Sequence, residues 1–477
     1  MAHQETSSES HLTRMAADEG RDILSLTGDF CAFATGVVAL DNQRLFERIG
    51  RELPIRLHRY PSGSTFNGWV VPQLWQVKEA TITKEGKKVF DGMSHTLAVA
   101  TYSKSFHGEL EWEELHRHVV TNLDLPQAYM YHCMWQYRPW DADWAFCIPY
   151  EVYKTFGTGR YRVDLETTYE PGEMLVGEYE HPGASRETIV FNAHTCHPHM
   201  ANDDSAGVAV LIRLFRWLRR QQTYYTYRLV LGPEHVGTVF YLRDRSPEEL
   251  ERFVGGAFAE MPGTSGPVKL ASSFLGDQDI DKVFRHAIRQ HCKAYEFVSW
   301  RRGAGNDETV WEAPGYEVPF VEVSRSRDLF SPYREYHSSL DTPEILRADQ
   351  LAEFYNVFVR AVEILEQNAT LYRTFDGLVC LANPKYDLYQ ERPDPAVDKA
   401  LEPDSEKWGT LLDSLLRYFD GSWTILDIAE KHDVPFDHLY RYLLKFKDKG
   451  LVQFQFAPVI RAPISRIRDP EGVKRAG

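Results

Sequence analysis

Residues 188–207 read TIVFNAHTCHPHMANDDSAG, an apolar strand that runs without a break into a loop of histidines, aspartates and a cysteine. Ile189, Val190 and Phe191 form a continuous apolar run of β-branched and aromatic residues, the pattern of a strand buried on both faces. The following AGVAVLIRLFRWLRRQ has the apolar spacing of a helix, opened by the DSAG turn. Strand, polar loop and helix in this order predict an α/β unit with its polar residues at the C-terminal end of a strand. Open α/β sheets place their active sites at such ends.

The texture repeats on both sides. Upstream, YRVDLETTY and MLVGEYE predict strands, and downstream YRLVLGPEH and GGAFAEMPG each end a strand in charged residues. The predicted fold class is therefore α/β, a mostly parallel open sheet flanked by helices. Glu19 to Leu53 has helical spacing and predicts one or two opening helices. From Tyr60 to Cys147 the short pieces PSGSTFNGWVVP, KKVFDG and HTLAVATYS predict a small β-rich module. It closes in YMYHCMWQYRPWDADWAFC, whose Trp135, Tyr137, Trp140 and Trp144 would line a pocket or wedge two domains together. After a long helix expected near 348–366, NPKYDLYQERPDPAVDKALEPDSE has the composition of a linker. Residues 407–456 then read as helix, turn, helix, turn, helix and strand, and resemble a winged helix.

Composition narrows the class. A chain of 477 residues is too long for one ordinary core, and 43% hydrophobic with 26% charged residues is the balance of a packed globular protein. The formal charge of −15 would repel a phosphate backbone, which argues against broad nucleic-acid binding. No run of about eighteen apolar residues is present and the first twenty residues are polar, so neither a membrane span nor a secretory signal is expected. The six cysteines lack CxxC spacing, as reduced thiols of a cytoplasmic protein would.

Five segments carry the chemistry: NAHTCHPHMANDDSAG, PEHVGT, AEMPG, GAGNDE and EYHSSLDT. Each contributes His, Asp or Glu, the side chains that hold zinc in hydrolytic sites. Together they resemble the zinc aminopeptidases with co-catalytic metals, in which AHxD supplies a histidine, DNxSG a bridging aspartate and EExG a base with a ligand. Carried over motif by motif, the resemblance implies His194 as first ligand, Asp203 as bridge and Glu234 as the catalytic base. It puts His235 in the second-glutamate position, Glu260 in a ligand-aspartate position and His337 of YHSSLDT in the final-histidine position.

The likeness extends to a subgroup of aminopeptidase-like proteins with a CHP motif, an inserted N-terminal module and a C-terminal winged helix. It implies a zinc aminopeptidase-like catalytic domain at 19–59 and 150–378, an inserted β-rich module at 60–149, a linker at 379–402 and a winged-helix domain at 403–470. Cys196 stands where AHxD has its aspartate, and His197 next to it is an alternative first ligand, so one zinc or two remain open.

The function implied is cleavage of an amide bond in a small peptide or aminoacylated metabolite. Alternatives are a zinc deacylase or cyclase acting on a modified small molecule, and a non-catalytic metal-stabilised scaffold or regulator. Trp135, Tyr137, Asp307 and Arg334 are candidate substrate-binding residues, with Arg334, Arg325 and Arg327 able to clamp a carboxylate. The winged helix, in which acidic residues outnumber basic ones between Asp404 and Val452, is expected to pack on the catalytic domain or to mediate homo-oligomerisation.

Overall fold

Thr188–His194 lies in the middle of an eight-stranded sheet of the computed structural model, which describes residues 18–327, 331–389 and 405–464. The strand order is Arg56–Pro61, Glu173–His181, Thr226–Gly232, Thr188–His194, Phe253–Glu260, Phe320–Ser324, Val268–Ala271 and Tyr295–Val298. Four strands, from Thr226–Gly232 to Phe320–Ser324, run parallel, and every residue in them is buried. That is why they read as unbroken apolar runs, since crossover helices cover both faces of a parallel sheet. Outside this core the strands turn antiparallel, with Glu173–His181 against Thr226–Gly232 and Val268–Ala271 against Phe320–Ser324.

The helix after the histidine loop, Ala206–Leu218, buries ten of its thirteen residues, Gly207 among them. The opening segment forms two helices, at 18–30 and at Asp41–Ile49. A charged group lies inside the sheet. Glu178 accepts a hydrogen bond from the Tyr241 hydroxyl at 2.7 Å, with His58 at 3.4 Å, Arg245 at 3.5 Å and Arg228 at 3.8 Å.

Residues 74–170 hold a second, four-stranded antiparallel sheet in the order Lys87–Asp91, Leu74–Lys84, Arg160–Glu170, Phe106–Glu111. Arg160–Glu170, which the sequence reading places in the catalytic part, pairs with Leu74–Lys84 along most of its length. Its alternating pattern of buried and open residues matches a sheet with one covered face. Ile82, Phe90, Phe146, Val163 and Leu165 form the core beneath that face.

The aromatic stretch separates by role. Trp144 is buried in the core of this sheet, its ring stacked on Phe106 and His118, whereas Trp140 is 62% exposed.

The chain divides into two compact units, the second made of Asp277–Tyr295 and Asn356–Arg461. In this unit the described residues form helices Ser405–Ser414, Ile425–His432 and Phe436–Asp448. A three-stranded antiparallel sheet accompanies them, with Ala369–Arg373 between Asp420–Thr424 and Val452–Phe456. Buried His286, on helix Asp279–His291, accepts the Phe436 N–H on Nε2 at 3.1 Å and meets the Glu430 carboxylate through Nδ1 at 2.5 Å. Much of the expected linker, from residue 390 to 402, and the end of the expected winged-helix domain, 465–470, lie outside the described residues. Among the described residues no helix is long and apolar enough to cross a membrane.

Candidate metal centre

The parallel strands deliver their polar residues to one edge. His194 is the last residue of its strand and pairs in register with Gly232, after which Pro233 leads to Glu234 and His235. Glu260 is the last residue of Phe253–Glu260. His337 arrives on the loop beyond Phe320–Ser324, pinned by the Tyr131 N–H, which donates to the His337 carbonyl at 2.7 Å. His235, Met261 and His337 all take positive φ, at 55°, 46° and 50°. Non-glycine residues hold such backbone only where surrounding packing compels it, and functional sites concentrate them.

Five side chains converge. His194 Nε2 lies 2.9 Å from Asp203 Oδ1 and 3.6 Å from Glu260 Oε2. On the other side of the same carboxylate, His337 Nε2 is 3.1 Å and His197 Nε2 3.9 Å from Asp203 Oδ2, and the two Nε2 atoms are 3.2 Å apart. Two ligand triads result, His194–Asp203–Glu260 and His197–Asp203–His337, sharing Asp203. His194 and His197 both take part, one in each triad.

Burial sets the electrostatics. Desolvation pushes Glu260 and Asp204 well above the usual carboxylate range, helped by repulsion from Asp204 on Glu260 and from Asp203 on Asp204. Asp203 feels the same burial, but the imidazoles of His197, His194 and His337 hold it well below that range. His194 is raised by Glu260 and Asp203 against its burial, while burial keeps His197 neutral.

The donor set fits a divalent cation. Asp203 Oδ2 is buried without a hydrogen bond, and two imidazole nitrogens face it and each other. Imidazole nitrogens aimed at a buried carboxylate oxygen that has no hydrogen bond are surroundings that zinc satisfies.

Neighbouring groups fix these ligands. Asp341, raised to about 7 by burial, accepts the N–H groups of Asn202 and Asp203 at 2.8 and 3.1 Å and the Tyr333 hydroxyl at 2.7 Å. It thereby sets the backbone that carries the shared aspartate. Asp204 accepts the N–H groups of Gly207, Met261 and His194 at 3.0, 3.3 and 3.4 Å, tying helix, strand end and loop together. Asn306 donates to Glu260 Oε2 at 2.6 Å. Tyr336 stacks on the His337 ring at 3.9 Å, and Tyr131 meets the His197 and His337 rings edge-on.

Sequence reasoning missed Asn306, Tyr131 and Tyr336 as parts of the centre. All three lie inside segments it quoted, but no spacing marks which residue of GAGNDE or of an aromatic run will turn toward a ligand.

The remaining expected residues separate. Glu234 is about one-fifth exposed and stands outside both triads, with its N–H on Cys196 Sγ at 3.3 Å and its carboxylate 3.4 Å from His235 Nδ1. His235 is also outside them: its ring lies parallel to Trp69 at 6.2 Å and its N–H is held by Asp307. Asp307 is buried and takes the Thr238 hydroxyl as well, so it shapes the His235 turn. Tyr137 reaches the centre, its hydroxyl 3.4 Å from Cys196 Sγ. Trp135 instead packs against His132 and the Ala100, Ala145 and Cys147 cluster. Arg334 is exposed, and buried Arg325 is bound to Glu353 and to the Gly266 carbonyl, leaving it no role as a clamp.

The chain resembles a Clostridium acetobutylicum protein named for polysaccharide biosynthesis and an aminopeptidase-like domain, 26% identical over 441 residues, 89% of this chain and 96% of that one. A solved Clostridium acetobutylicum structure described as a peptidase superposes with a TM-score of 0.76 at 22% identity, covering 94% of this chain and 100% of that one. The Bacillus subtilis zinc aminopeptidase BSAP does so with a TM-score of 0.54 at 13% identity, covering 72% of this chain and 94% of its own. These likenesses show a common fold. Residues 30–368 match the profile described as "Domain of unknown function (DUF4910)", and the chain belongs to that family.

Proposed function

We propose that the protein is a zinc-dependent amide-bond hydrolase of the aminopeptidase type, acting on a small peptide or an aminoacylated metabolite. The observation that carries this reading is Asp203 shared by two ligand triads, with Glu234 beside them and in neither. Zinc held by His194, Asp203 and Glu260, and by His197, Asp203 and His337, would polarise a scissile carbonyl and lower the pKa of water toward neutrality.

Glu234 is the group free to take a proton from water and return it to the departing amine. Its turn is fixed at both neighbours, by Cys196 under its own N–H and by Asp307 under that of His235. Tyr336 stacks on the His337 ring and Tyr131 meets the His197 and His337 rings edge-on, which fixes the orientation of both imidazoles. Burial, with Cys196 and Glu234 nearby, keeps the Tyr137 hydroxyl protonated and able to donate. In the second unit, the three helices and the three-stranded sheet support the winged-helix reading, with a role in assembly.

A second reading, removal of an acyl group from an aminated sugar, is favoured by the name of the Clostridium relative. Elemental analysis of the purified chain and of His194→Ala and His337→Ala tests the metal reading, and aminoacyl p-nitroanilides test the substrate. Two zincs that fall with either substitution, together with a requirement for a free α-amine, are expected. One zinc and no such requirement would favour the acyl-sugar reading, and absence of metal would overturn both.

A further inference from the structure

We propose that Cys196 is a positioning residue that orients both metal-facing histidines and the Glu234 turn from a single sulfur atom. The inference rests on the metal reading above.

Cys196 is completely buried, and its Sγ lies 3.4 Å from His197 Nδ1 and 3.8 Å from His194 Nδ1. The same sulfur accepts the Glu234 N–H at 3.3 Å and is 3.4 Å from the Tyr137 hydroxyl. Each histidine turns its other nitrogen, Nε2, toward Asp203. A neutral imidazole carries one proton, so a ligand that offers Nε2 to a metal keeps the proton on Nδ1 and needs an acceptor there. Sulfur is a weak acceptor but a large one, and its longer contacts let one atom serve donors from three backbone positions. Both triads and the proposed base therefore depend on residue 196, although it lies on the far side of the imidazoles from the shared carboxylate.

His194, Cys196 and His197 also form a grouping compact enough to hold a metal through the sulfur itself. The two roles differ in outcome. A positioning thiol leaves the metal bound only by nitrogen and oxygen, whereas a ligating one gives a sulfur bond.

Three measurements on the full chain test this. Zinc affinity is read by chelator competition for the wild type, Cys196→Ala and Cys196→Asp. The cobalt(II)-substituted wild type is read for a sulfur-to-cobalt charge-transfer band, and thermal unfolding by circular dichroism checks that each variant folds. Cys196→Ala should weaken zinc by about 10- to 100-fold. Cys196→Asp, whose carboxylate can accept the same protons, should bind within a few-fold of wild type, and the cobalt spectrum should show no sulfur band.

A folded Cys196→Ala chain that binds zinc as tightly as wild type would overturn the proposal. So would a sulfur band in the wild type, a measurement that needs no variant to fold. A wild-type chain that takes up no zinc would instead remove the metal reading, and this inference with it.

Discussion

At the scale of single residues, the centre is built from side chains whose neighbours leave them few alternatives. Glu234 is an exception, partly open and in neither triad. Glu234→Gln keeps the shape and removes the proton acceptor, so kcat on an aminoacyl p-nitroanilide should fall by about 10²- to 10⁴-fold. Zinc content should be unchanged, and a loss of zinc would make Glu234 a ligand instead.

Gly207 is constrained from the opposite direction. A Cβ there would lie 2.1 Å from Asp204 Oδ1 and 2.5 Å from the Ala259 carbonyl oxygen. Gly207→Ala must displace the carboxylate that ties His194, Met261 and the helix together. Elemental analysis should show zinc lost even if the chain still folds.

At the scale of elements, strand ends and the loops beyond them carry the ligands, and other loop residues orient them. The SLDT turn shows how: Asp341 does not meet a metal position but accepts two N–H groups of the loop that bears Asp203. Asp341→Asn would place an amide where three donors converge, and chelator competition should show about 10- to 100-fold weaker zinc. In the second unit, His286 caps the helix Phe436–Asp448 through the Phe436 N–H while meeting Glu430. His286→Ala leaves the Phe436 N–H without that partner in a buried place, a loss of about 1–3 kcal/mol. Hydrogen exchange at residues 436–448 should accelerate accordingly, while zinc content stays at the wild-type level.

At the scale of the whole molecule, buried charge links stability to acidity. Burial alone would raise Glu178, but the neighbouring His58, the Tyr241 hydrogen bond and the Arg228 charge hold it at about 2, below its ordinary 4.5. A carboxyl lowered by folding stabilises above its unfolded pKa and loses that contribution as pH falls through the folded one. The window is thus from about 4.5 down to about 2, and the linked contribution is on the order of 3 kcal/mol. Denaturant unfolding of zinc-stripped protein should show that Glu178→Gln removes this part of the acid dependence and leaves it intact in other variants.

The α/β layout was legible in residues 173–263 because a strand buried on both faces must be apolar throughout, and a polar residue ending it must face the sheet's edge. Five of the six ligand candidates that the sequence offered, His194, His197, Asp203, Glu260 and His337, come together in the structure. What the sequence left open was the choice among neighbours. His197 and His235 each lie three residues beyond a strand end, and only the turn of the chain decides which ring faces Asp203 and which faces Trp69.

The second sheet shows the same division. The alternation in Arg160–Glu170 marks a strand with one covered face, but its partner, Leu74–Lys84, lies about eighty residues earlier in the chain. Periodicity is a local property, so the sequence by itself determined the elements and the chemistry at their ends. Pairing, and which of the candidate histidines meets the shared carboxylate, depend on contacts between distant segments, and only the tertiary structure decided them.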